Sequence, residues 1–199
     1  MTGKKTKAKK LIERIGGLYG VNYDNKTYKN IREVLESHRQ ILFNKHLFNY
    51  QPVGSEPLEK LIPYIYRCFI SNSPIDNRCV NKMVLQILND KKTNGILQDT
   101  LEEIKKFAVG DEGNDKPIGA TYYEILDRLY FKELDPVKTL IYSELDMDSH
   151  VFSYRMEEAV MLFGIYFWQR CLSLLPNWHD IAEKIREEEG RNDLNLGLA

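Results

Sequence analysis

The sequence predicts an all-α protein: an N-terminal helical domain followed by a C-terminal helix-turn-helix domain. Apolar residues recur at helical spacing in nearly every segment. Several segments open on helix-start signals, among them Thr121 with Glu124, Asp135 with Pro136, and Asp148. Runs that alternate apolar and polar residues, as a half-buried strand would, are missing, so no sheet is expected.

Taken in order, residues 1–10 form a lysine-rich lead-in. Lys4, Lys5, Lys7, Lys9 and Lys10 offer phosphate contacts on a terminus otherwise expected to be solvated and mobile. Leu11, Ile12 and Ile15 add a helical turn, which Gly16-Gly17 should stop. A long amphipathic helix is expected over 25–48, where Tyr28, Ile31, Val34, Leu35, Ile41, Leu42 and Phe48 keep the helical period. His38 and His46 lie along it with no acidic or cysteine partner in ligand spacing, which reads as structural or solvated histidine. Ser55 can cap a helix over 55–70 that Pro63 bends or divides. Its aromatics Tyr64, Tyr66 and Phe69, set at helical spacing in an apolar run, read as core. Ser73-Pro74 opens another helix to about residue 88, and residues 96–109 give one more. The stretch 110–119, GDEGNDKPIG, is glycine-rich, acidic and free of large apolar side chains but for Ile118. It is expected to link a 1–109 domain to a 120–175 domain. Pro176 then breaks the chain before a polar helix and tail over 176–199.

The 120–175 domain carries three helical patterns separated by two short breaks. Thr121 with Glu124 makes a capping box, Asp135 caps a helix with Pro136 at its first position, and Asp148 caps the third. The third pattern keeps Val151, Phe152, Met156, Ala159, Val160 and Phe163 near helical spacing. A short helix, a tight turn and a longer helix make a helix-turn-helix.

The run Leu145–Val160 resembles the helix-turn-helix of phage ArpU-like late transcription regulators, a family related to region 4 of sigma factors. Leu145, Met147, Phe152, Arg155, Glu158, Ala159 and Val160 fit the family, and Asp148 takes the place of its capping serine. Upstream, Tyr123, Ile125, Leu126, Tyr130 and Phe131 are similar to its preceding helix. The resemblance covers about a quarter of the chain. It implies a non-enzymatic transcription regulator that inserts the third helix into the major groove of double-stranded DNA. Carried to the matching positions, it makes Ser149, His150, Ser153 and Tyr154 face base edges and Arg155 contact phosphate. Where the family carries basic residues, this chain has Ser149, His150, Tyr154, Met156 and Glu157.

Charge is unevenly spread. Net charge is −1, yet residues 1–50 carry +7, residues 51–110 carry +1 and residues 111–199 carry −9. Either the basic block supplies the attraction to DNA, or the fold serves a protein partner such as RNA polymerase or another host protein. Phe163, Ile165, Tyr166, Phe167, Trp168 and Leu172 exceed one helical stripe, which implies burial inside the monomer or against a partner, a homodimer included. At 43% apolar residues the chain is globular, and no apolar run approaches the roughly 20 residues that cross a bilayer. A cytoplasmic protein with no membrane contact is expected. Cys68, Cys79 and Cys171 form no metal or redox spacing. No phosphate-binding glycine loop, nucleophile elbow or zinc pair occurs. No catalytic residue, metal or cofactor is therefore expected.

Overall fold

A computed structural model describes residues 5–44, 64–66, 69, 77–89, 93–111, 114–132, 136–174 and 187. The fold is all-α: besides one short hairpin, every regular element among these residues is a helix. The order is α1 (Lys7–Leu18), α2 (Asn25–Phe43), α3 (Asn77–Asn89), α4 (Ile96–Ile104), β1 (Gly110–Asp111) and β2 (Asn114–Pro117). There follow α5 (Ile118–Leu126), a π-helical stretch (Asp127–Lys132), α6 (Lys138–Glu144) and α7 (Ser149–Ser173). Residues 64–66 and 69 are also helical. The helix expected over 55–70 and the polar helix and tail expected over 176–199 otherwise lie outside the described residues, as do Lys4, His46, Phe48 and Pro63. No described helix is long and apolar enough to cross a membrane.

Helix α7 is the axis of the molecule. It packs on α1, α2, α4 and α5, and the run from Met161 to Trp168 is apolar around the helix because these neighbours cover it, Tyr166 alone being half-buried. Phe163, Ile165, Phe167, Trp168 and Leu172 are buried within this chain, with Tyr166 half-buried. Phe163 stands 6.2 Å from Phe131 and 6.1 Å from Phe167, and Phe167 stands 5.1 Å from Phe69. Trp168 meets Tyr66 edge-on at 6.1 Å and donates its indole N–H to the Tyr19 carbonyl at 3.3 Å. Each buried ring is worth about 2–3 kcal/mol relative to exposure. Tyr66 and Phe69 are core, as their helical spacing suggests.

Several expectations are corrected at the element level. The lysine-rich lead-in is not a loose arm over its whole length, since Lys7, Lys9 and Lys10 belong to α1. The Thr6 hydroxyl caps that helix, accepting the Lys9 amide at 3.0 Å, and Ala8 and Ile12 seat it in the core. Helix α1 runs through Gly16-Gly17 and ends at Leu18; the left-handed residue that turns the chain is Gly20, at φ 74°.

The stretch 110–119 is not a plain linker. It holds the antiparallel pair β1–β2, with Gly110 opposite Pro117 and Asp111 opposite Asn114, so the expectation of no sheet fails at this one hairpin. The helices before and after it contribute to one hydrophobic cluster. Helix α5 starts at Ile118, three residues before the supposed capping box at Thr121, because backbone carbonyls already satisfy its first amides. Ile118 N–H donates to Val109 O at 2.9 Å and Gly119 N–H to Phe107 O at 3.2 Å.

Helix α5 runs on into a π-helical stretch from Asp127 to Lys132, which the periodicity of the sequence does not announce. Leu129, Tyr130 and Phe131 of this stretch are buried, and Arg39 of α2 donates to the Leu129 carbonyl at 3.4 Å.

Candidate nucleic-acid interface

The hairpin of α6 and α7 begins after Pro136. Asp135 lies outside the described residues. Pro136 is not the first helical residue, because Val137 holds the capping position and its carbonyl accepts from Leu140 at 3.0 Å and Ile141 at 3.2 Å. Helix α6 lasts seven residues and buries only Ile141. It ends in a Schellman turn: Met147 N–H donates to Tyr142 O at 2.9 Å and Asp146 N–H to Ser143 O at 3.2 Å. Asp146 takes the left-handed position at φ 53°, a conformation that short polar side chains tolerate. Asp148 then caps α7 as its position implies, accepting from the amides of His150 and Val151, both at 2.8 Å. Phe152 turns inward and meets Tyr142 at 5.7 Å, closing the hairpin.

Ser149, His150, Ser153 and Tyr154 all lie exposed on the first turns of α7. Positions 149, 150, 153 and 154 share one face of a helix. The His150 and Tyr154 rings meet edge-on at 4.6 Å, and the Ser153 hydroxyl donates to Ser149 O at 2.8 Å. This set is therefore brought together on one presented surface.

Arg155 stands apart from it. Its side chain is only 13% exposed and donates to Glu158 Oε2 at 2.9 Å. Glu158 is buried and also accepts from the Tyr122 hydroxyl at 2.7 Å and from the Thr6 hydroxyl. The expected phosphate ligand thus serves as counter-ion to a buried carboxylate shared by α1, α5 and α7. Nothing in the sequence marks Thr6, Tyr122 and Glu158 as partners, since Thr6 and Glu158 lie 152 positions apart.

The lysines divide in the same way. Lys9 pairs with Glu157 at 2.9 Å and lies over the Tyr23 ring at 4.4 Å, and Lys5 pairs with Glu13 at 2.8 Å. Lys7 and Lys10 are exposed on α1, as are Lys26 and Lys29 on α2. A cleft of about 440 Å³ lies where these helices meet α7. Lys9, Tyr23, Asn25, Tyr28, Ser153 and Glu157 are among its lining residues. It sets the base-facing candidate Ser153 beside the two helices of the basic block.

The buried phenols respond to this network. Burial first, then the Glu158 carboxylate, pushes the Tyr122 hydroxyl well above its ordinary range. Burial, then Glu157 and Glu158, does the same to Tyr23. Such groups favour the folded state while protonated in both states. Their contribution is therefore intact below the unfolded value of about 10 and is lost as pH rises above it. Alkaline titration should accordingly show these tyrosines ionising together with unfolding. Ultraviolet absorbance of tyrosinate, followed beside circular dichroism, checks this; ionisation complete before any loss of helix would refute it.

Among the described residues, no group of His, Cys, Asp and Glu is placed to hold a metal ion. Cys171 is buried and its thiol is pushed up by that burial, away from reactivity. Comparison with protein-family models, curated proteins and solved structures finds no match for this chain.

Proposed function

We propose that the chain is a non-enzymatic, phage-type transcription regulator of the cytoplasm that binds double-stranded DNA with the first turns of α7. One observation carries the reading: a short helix, a Schellman turn and an Asp148-capped helix end in an uncovered face of Ser149, His150, Ser153 and Tyr154. In this reading those four side chains meet base edges, while exposed Lys7, Lys10, Lys26 and Lys29 on the neighbouring helices meet phosphate. Arg155 holds the reading helix in place from within and does not touch the DNA.

The test is binding to a random duplex pool, followed by anisotropy at rising salt. Affinity should fall by more than about tenfold between about 50 and 200 mM salt. The His150→Ala/Tyr154→Ala double variant should lose base selection while keeping its melting temperature, because both side chains are exposed. No binding at low salt would end the proposal.

A second reading is favoured by the apolar surface of the same hairpin. Leu140 is 60% exposed and Tyr154 51%, and Val137 and Val151 are exposed as well. The C-terminal block also carries −9. On this reading the hairpin docks on RNA polymerase or another host protein, or on a second copy of the chain. A partner retained from nuclease-treated lysate, lost in Leu140→Glu, together with no DNA shift, selects it.

A further inference from the structure

A second cleft, of about 620 Å³, lies among α2, α3, α4 and the π-helical stretch. His38, Leu42, Leu88, Asn89, Asn94, Gln98 and Phe131 line it. Its size is that of a small-molecule site. Three features of its wall define a chemistry. His38 and Phe131 form a ring pair at 4.6 Å, and Leu42 and Leu88 extend that apolar side. Asn89, Asn94 and Gln98 then supply three carboxamides, each carrying both a donor and an acceptor. Among the described lining residues none is Lys, Arg, Asp or Glu.

The wall is also held in place. The Thr93 hydroxyl donates to Ile87 O at 2.9 Å and Ile96 N–H to Thr93 O at 2.9 Å, fixing the turn that carries Asn94 between α3 and α4. Phe131 comes from the π-helical stretch, a local departure from α-geometry of the kind that recurs at functional sites.

We propose that this cleft binds an uncharged nucleobase or nucleoside. The rings and leucines take the flat apolar face of such a ligand. The carboxamides match the mixed donor and acceptor pattern along its edge, as amide side chains do with adenine. Recognition at the described wall therefore rests on the rings and carboxamides, with no Lys or Arg among the described lining residues. The proposal is independent of the DNA reading, which uses the opening turns of α7.

The experiment is calorimetric or ligand-observed NMR titration of the full chain, without DNA. The probes are the common bases, their nucleosides, the matching 5′-monophosphates and indole as an apolar ring. A base or nucleoside should bind, the monophosphate no tighter, and indole more weakly. Asn94→Ala with Gln98→Ala should weaken binding about tenfold or more. Both residues are exposed, so the melting temperature should hold. Four results would each overturn the proposal: no binding at millimolar ligand, undiminished binding by the double variant, indole equal to the best base, or a monophosphate that binds much tighter.

Discussion

Replacing Arg155 by alanine is expected to destabilise the fold by about 3 kcal/mol, the scale of breaking a buried ion pair on one side only. Glu158 would keep its hydrogen bonds from Tyr122 and Thr6 but lose the cation that neutralises it. Urea unfolding at neutral pH measures the effect. Replacing both partners, as Arg155→Met with Glu158→Leu, should recover most of the loss, because an apolar pair leaves no buried charge behind. A single variant within about 1 kcal/mol of the parent would mean that Arg155 acts as an ordinary surface charge. The same comparison bears on function. If Arg155→Ala still folds at low temperature, its salt dependence of DNA binding should match the parent, since no phosphate contact has been removed.

Gly119→Ala is the other large expected loss, about 2–3 kcal/mol. A methyl group there would press on the carbonyl of Ile104 and stand 2.8 Å from that of Phe107 and 3.0 Å from that of Lys105. Backbone at the end of α4 cannot rotate away as a side chain can. The usual gain of about 1 kcal/mol for alanine over glycine in a helix is therefore overturned. Gly17 in α1 is the control, with nothing within 4 Å of an added Cβ, and Gly17→Ala should raise stability by up to about 1 kcal/mol. Thermal unfolding of the two variants side by side gives opposite signs. A stabilising Gly119→Ala would refute the close approach of α5 to α4.

Much of the fold was legible in the sequence. Periodicity placed the starts of α2 and α4 at Asn25 and Ile96, though they end at Phe43 and Ile104, short of the expected 48 and 109. Asp148 caps α7 as its position implied. The excess of aromatics over 163–172 marked the helix that the others surround. Three features were not legible, each for a physical reason. The hairpin at 110–117 is held by backbone pairing of polar residues, so it leaves no hydrophobic alternation to detect. The π-helical stretch follows α5 directly, and nothing in the spacing of Leu129, Tyr130 and Phe131 announces the wider turn. In the candidate site, the exposed face could be read because helical spacing alone groups 149, 150, 153 and 154. The fate of Arg155 and Lys9 could not: the i,i+3 spacing of Arg155 and Glu158 is visible, but the burial of that pair depends on Tyr122 and the distant Thr6, and Lys9 meets Glu157 from 148 positions away.

That long reach sets an order of events on the ribosome. Helices α1 and α2 emerge first, yet the surface that covers Ile12 and Ile31 includes α7, the last of the described helices to be made. At about 5–20 residues per second, roughly 8–30 s pass between the synthesis of Thr6 and that of Glu158. For that interval the apolar faces of the early helices have no final partner, and Thr6 has no carboxylate to meet. Until α7 clears the exit tunnel, the nascent chain leaves those apolar faces without the surface that buries them. A chain truncated within α7 would lack the surface on which α1, α2, α4 and α5 pack.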